Sequence, residues 1–176
     1  CMGVKRAVEA AEKVAQSGKP ACTLGELIHN PQVVEKLASQ GVPPVRSPEE
    51  AAGRMVLIRS HGVPPETLEA LRTLGCEVAD LTCPFVEKLH RIVAEGSSDG
   101  TPVILVGERD HPEVRGTAGW AHSQVYTVTS PEEAEALPVM DHAIAAAQTT
   151  FPPDRWEAVI AMLEKKVRRL EKHCTI

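Results

Sequence analysis

The chain has 176 residues, of which 43% are hydrophobic and 24% charged, and its net charge is −5. That is room for one large domain or two small ones, with too much apolar content for a disordered chain. The acidic balance argues against a nucleic-acid-binding surface, and no apolar run approaches the roughly 20 residues of a membrane span.

Residues 2–16 place Val4, Ala7, Val8, Ala11, Val14 and Ala15 at helical spacing, with Lys and Glu opposite and Gly18 beyond the end. ACTLG predicts a strand, and NPQVVEKLASQG a helix with Pro31 in its first turn. VPPV predicts a short strand, and SPEEAA a helical turn capped by Ser47. MVLIRS reads as a buried strand ending in the loop HGVPP, followed by the helix PETLEALRTLG and the strand EVADL. PFVEKLHRIVAEG predicts a helix, PVILVG a strand and PEVRGTAGWA a short helix. QVYTV is a strand, SPEEAEAL a helical turn and HAIAAAQ a strand. Residues 153–172 then predict one long helix, with Trp156, Val159, Ile160, Leu163, Val167 and Leu170 on one face. Alternating strands and helices imply parallel sheets with helical crossovers, and sites in the loops that follow the strands.

The two halves share landmarks. Cys1 and Cys83 are 82 residues apart, as are His29 in HNPQV and His111 in HPEV. Ser47 in VRSPEEA and Ser130 in VTSPEEA are 83 apart. Three landmarks in one order at nearly one offset predict a duplication. The expected architecture is α/β: two related lobes with small, mostly parallel sheets flanked by helices. The expected domains are 1–82 and 83–173, with 174–176 opening a further lobe.

The five cysteines are Cys1, Cys22, Cys76, Cys83 and Cys174, with no CxxC pair, so zinc-knuckle and thioredoxin motifs are unsupported. Cys22 and Cys76 lie in apolar runs and read as small buried hydrophobes. Cys1 and Cys83 each precede a helix, where the dipole and free N–H groups favour a thiolate, the soft ligand of iron–sulfur clusters. Two caps without a partner remain an equal alternative at this point. His29, His61 and His111 lie in loops after strands near helix starts, where an imidazole can donate to a phosphate. Glu113 is either a proton-relay carboxylate or an ordinary first-turn acid; Thr149 either orients a substrate hydroxyl or caps a helix. GxxxxGK[ST], GxGxxG and HExxH are absent.

The stretches CMGVKRAVE, LIHNPQVV, RSHGVP, DLTCPFVEKLH, HPEVRGTAG and QTT, in this order, together resemble the 4-hydroxy-3-methylbut-2-enyl diphosphate reductase (LytB) family. The resemblance implies the first two lobes of a trefoil-like, three-lobe enzyme around a [4Fe–4S] cluster. Cys1 and Cys83 match two of its ligands, and the third is expected just beyond Ile176, Cys174 being three residues early. His29, His61 and His111 match diphosphate-binding residues, Glu113 the proton source, and Thr149 the hydroxyl that orients the substrate. The implied reaction is reductive dehydroxylation of an allylic diphosphate, the last step of the non-mevalonate isoprenoid pathway. It yields isopentenyl and dimethylallyl diphosphates in the cytoplasm, with ferredoxin or flavodoxin as electron donor. These 176 residues alone are expected to be inactive. The alternatives are a non-catalytic anion-binding or interaction module on the same lobes, and a mononuclear metal hydrolase using the three histidines and Glu113.

Overall fold

The computed structural model describes residues 2–176; Cys1 lies outside them. The chain divides into two compact units, Cys1–Pro84 and Phe85–Ile176. The first contains α1 (Met2–Gln16), β1 (Ala21–Leu24), α2 (Pro31–Ser39), β2 (Pro44–Val45), a 3-10 turn (Glu49–Ala51), β3 (Met55–Ile58), α3 (Pro65–Thr73) and β4 (Glu77–Asp80). The second runs through α4 (Pro84–Gly96), β5 (Val103–Val106), α5 (Pro112–Ala118), β6 (Val125–Val128), α6 (Pro131–Glu135), β7 (Met140–Ala147), α7 (Pro153–Lys166) and β8 (Val167–His173).

Each unit builds one parallel four-stranded sheet, in the orders β2-β1-β3-β4 and β6-β5-β7-β8. These are the same order, element for element. The 82–83-residue offset thus reappears as a repeated topology.

Side chains alternate across each central strand, so each sheet is covered on both faces. In the first unit Leu57 packs with Ala7 and Ala11 of α1 and Leu37 of α2. Its neighbours Val56 and Ile58 pack with Cys22, Ala51 and Leu71 on the other face. The second unit repeats the plan: Val103 and Leu105 meet Leu89 and Val93 of α4 and Val114 of α5. Ile104 and Val106 meet Trp156, Val159 and Leu163 of α7. The alanines of β7 form a strand despite their helix preference because they are buried, and Ala143, Ala145 and Ala147 face Trp156 and Phe151.

Two predicted elements differ. The single helix expected over 153–172 ends at Lys166, and 167–173 is strand β8. Val167 leaves the helix with φ −118° and ψ 120°, and no loop intervenes. Pairing decides it: β8 runs beside β7 from Met140↔Val167 to Ala146↔His173, closing an edge that would otherwise expose a buried strand's backbone. Val167 and Leu170 keep the three-residue spacing of a helix face, which hides the change in the sequence. Across the sheet Val167 stands opposite Met140 and Leu170 opposite Ala143.

The other difference is Ser47. The turn beginning at Glu49 has Pro48 at its cap and no side-chain cap bond, whereas Ser130 accepts from Glu133 N–H and caps α6. Half of the capping arrangement is common to both repeats: Glu50 accepts from Arg46 N–H as Glu133 does from Thr129 N–H.

Candidate active site

In both sheets the strand order reverses between the first and third strands, β1/β3 and β5/β7. The helices after those strands leave in opposite directions, which opens a crevice at the carboxyl ends. The candidate histidines, Glu113 and Thr149 all lie in the loops or first turns that rim these crevices.

In the first unit, the loop after β1 contains LIHNPQVV. Leu27 and Ile28 are buried, and Asn30 caps α2 by accepting from Gln32 N–H at 3.1 Å and Val33 N–H at 3.3 Å. Pro31 supplies the pre-set first helical φ. His29 is therefore pinned between a buried pair and a cap, and it is exposed. The loop after β3 turns at Arg59–Gly62, with Gly62 N–H donating to Arg59 C=O at 3.1 Å. Gly62 has φ 70°, which a side chain rarely adopts, and this places His61 at the turn. The two imidazoles stand 5.2 Å apart between ring centroids, tilted by 37°. The two imidazoles thus stand side by side at the carboxyl end of the sheet.

Cys83 follows β4 at the same end of the sheet. It is half-buried, immediately precedes α4, and donates its N–H to Ser60 C=O at 2.9 Å. Ser60 is the neighbour of His61, so one short loop positions both. Cys22 is fully buried, and burial pushes its thiol pKa up. Cys76 spends its thiol on Ala51 C=O at 3.3 Å. Among the described residues of this unit, Cys83 is thus the thiol that suits a soft metal or an iron–sulfur cluster. The thiolate is the form of a cysteine that ligates. Cys174 is exposed. The registers pair Ile58 with Asp80 and Ala146 with His173, so Cys174 corresponds to Asp80 and stands three positions before the counterpart of Cys83.

In the second unit, His111 caps α5, with Nδ1 accepting from Glu113 N–H at 3.2 Å. A neutral imidazole that accepts at Nδ1 carries its proton on Nε2, so His111 presents Nε2–H as a donor. Glu113 is 2% exposed. A buried carboxylate is costly unless hydrogen-bonded, and Thr149 supplies two bonds. Its N–H donates to Oε1 at 2.6 Å and its hydroxyl to Oε2 at 2.7 Å. Thr149 caps no helix; Pro152 stands at the N-cap of α7.

Sequence reasoning missed the latch behind this pair. Gln148, nearly buried, accepts from Glu108 N–H at 2.9 Å and donates to Thr150 Oγ1 at 2.8 Å. It fastens the end of β7 to the loop after β5, so Thr149 and Glu113 share one frame. Gly107 makes room for it. A Cβ there would lie 2.7 Å from Gln148 Cβ and Oε1, and 2.9 Å from Val114 Cγ2. The signal available in the sequence was a glycine directly after a buried strand. Gly107→Ala is expected to cost about 1–3 kcal/mol by overpacking, seen as a lower denaturant midpoint with an unchanged slope.

No helix among the described residues is long and apolar enough to cross a membrane.

A family model described as LytB protein matches residues 1–176. The chain is 42% identical over 181 residues to the 4-hydroxy-3-methylbut-2-enyl diphosphate reductase of Caldanaerobacter subterraneus subsp. tengcongensis, covering 100% of this chain and 63% of that relative. It is 41% identical to the reductase of that name from Aquifex aeolicus, covering 99% of this chain and 63% of the relative. A solved (E)-4-hydroxy-3-methyl-but-2-enyl diphosphate reductase, described as the terminal enzyme of the non-mevalonate pathway, superposes with TM-score 0.85 at 39% identity, over 100% of this chain and 64% of that one. The E-1-hydroxy-2-methyl-but-2-enyl-4-diphosphate reductase of Plasmodium falciparum superposes with TM-score 0.90 at 26% identity, over 98% and 55%. The chain therefore spans less than two thirds of the length of these relatives. It belongs to the LytB family.

Proposed function

We propose that these residues serve a reductase that removes the hydroxyl of 4-hydroxy-3-methylbut-2-enyl diphosphate. The observation that carries this reading is the buried Glu113 carboxylate, held at two points by Thr149 in the crevice of the second sheet. The overall change breaks the allylic C–O bond, forms a C–H bond, consumes two electrons and two protons, and releases water. The products are isopentenyl and dimethylallyl diphosphates. Cys1 and Cys83 would be among the thiolate ligands holding a [4Fe–4S] cluster, which would supply electron transfer and Lewis acidity.

The protein's own groups do the rest. His29, His61 and His111 serve as hydrogen-bond donors to diphosphate oxygens. Thr149 gives its single O–H to ionised Glu113, leaving its lone pairs to accept from the substrate hydroxyl. When Glu113 is protonated it donates to Thr149 instead, and the Thr149 hydroxyl turns its own proton toward the departing oxygen. One threonine thereby both orients the hydroxyl and relays the proton.

Electrons come from a small redox protein of the ferredoxin or flavodoxin kind, in the cytoplasm. These 176 residues, which span less than two thirds of the length of such reductases, are expected to be inactive by themselves.

Complementation tests the proposal. The complete polypeptide carrying this sequence is expected to restore growth to a bacterium deprived of its own reductase, and its Glu113→Gln form is expected not to. Growth restored equally by both forms would refute the proposed role of Glu113. No growth with a folded, cluster-loaded protein would favour a non-catalytic binding module.

A further inference from the structure

Cys83 is held by more than the helix that follows it. Strand β4 ends at Asp80, but its ladder with β3 continues beyond. Leu81 N–H donates to Ile58 C=O at 3.1 Å, and Cys83 N–H to Ser60 C=O at 2.9 Å. Between them Thr82 is 2% exposed, and all its polar groups are engaged. Its N–H donates to Asp80 Oδ1 at 2.9 Å, and its hydroxyl donates to the same oxygen. Its carbonyl accepts from Arg6 Nη2 at 2.8 Å.

The Asp80–Thr82 pair on its own is an ordinary local turn, with a side chain bonding the backbone two residues on. The Arg6 bond is not local: it spans 76 residues and ends on the peptide that joins Thr82 to Cys83. That peptide is planar, so its orientation is set by its two polar ends. Arg6 fixes the C=O and Ser60 fixes the N–H, which together fix the approach to the Cys83 Cα. The thiol then retains its own χ1 rotation and little else. Arg6 also stands on α1, the helix that directly follows Cys1, so the same guanidinium joins the segments bearing both proposed ligands of the first unit.

We propose that Arg6, Thr82 and Asp80 form a clasp that positions the Cys83 thiolate for the cluster. The proposal rests on Cys83 being a ligand. The three are positioning residues: none needs to touch the cluster. Groups that orient a metal ligand typically change metal affinity about 10–100-fold when removed, because the free ligand then samples non-binding geometries.

The test follows iron release to a chelator from the complete polypeptide, purified without oxygen, in the unsubstituted, Arg6→Met, Thr82→Val and Thr82→Ser forms. Arg6→Met and Thr82→Val are expected to release iron about 10-fold faster or more. Thr82→Ser, which keeps the hydroxyl, is expected to match the unsubstituted rate. The unfolding midpoints of the cluster-free proteins are expected to coincide, which separates positioning from general stability. Iron held equally firmly by all four forms would overturn the clasp while leaving Cys83 as a ligand. Midpoints falling in step with iron loss would overturn it in favour of a structural role. An unsubstituted protein without iron and sulfide would remove Cys83 as a ligand, and the clasp with it.

Discussion

Replacing Glu113 with glutamine is expected to lower turnover by about 10²–10⁴-fold, the usual worth of a positioned proton donor. Substrate binding should change little. Glutamine keeps the shape and both contacts: its carbonyl accepts from Thr149 N–H, and its amide donates to Thr149 Oγ1. The direction of the hydroxyl bond is reversed and the protonable group is gone. Fold and loop geometry should therefore survive, and the loss should fall on kcat rather than on the dissociation constant. Thr149→Val leaves the N–H bond to Glu113 Oε1 but removes the hydroxyl bonded to Oε2. It is expected to slow turnover as well. Steady-state kinetics with calorimetric titration of the substrate separates the two effects. Weaker binding at constant kcat in Glu113→Gln would place Glu113 among the substrate anchors instead.

Cys83→Ser is expected to abolish the cluster, seen as loss of the brown thiolate-to-iron absorbance and of iron and sulfide. A hydroxyl is a hard, weakly acidic donor and a poor replacement for a thiolate on iron. The fold should survive, because Cys83 is half-buried and its backbone bond to Ser60 does not involve the side chain. Cys22→Ser predicts the reverse. Its hydroxyl would sit fully buried among Leu24, Val56 and Ile58, costing about 1–3 kcal/mol as an unsatisfied group, while the cluster remains. The pair of variants tells a ligand cysteine from a core cysteine by opposite signatures.

Much of this arrangement is legible in local chemistry. Asn30-Pro31 announces the start of α2, and a buried dipeptide before it leaves His29 as the residue that must face outward. The HNPQV and HPEV landmarks locate equivalent loops in two sheets of identical strand order, because duplication preserves loop chemistry along with topology. Features set by distant partners were not legible. The change from α7 to β8 depends on the free edge of β7, while the spacing of Val167 and Leu170 continues a helical stripe. Ser47 and Ser130 sit in almost the same heptapeptide, yet only Ser130 caps a helix, since the first copy closes into a shorter 3-10 turn. Glu113 carried an ordinary explanation as a first-turn acid until the fold brought Thr149 to it across 36 residues. The Gln148 latch and the Arg6–Thr82 bond likewise join residues 40 and 76 positions apart.

The most direct measurement gives the complete polypeptide, under anaerobic conditions, a chemical reductant and 4-hydroxy-3-methylbut-2-enyl diphosphate, and identifies what forms. The account predicts isopentenyl and dimethylallyl diphosphates, with two electrons consumed and one water released for each molecule made. A cluster-bearing protein that returns the substrate unchanged, or that releases inorganic diphosphate instead, would contradict it.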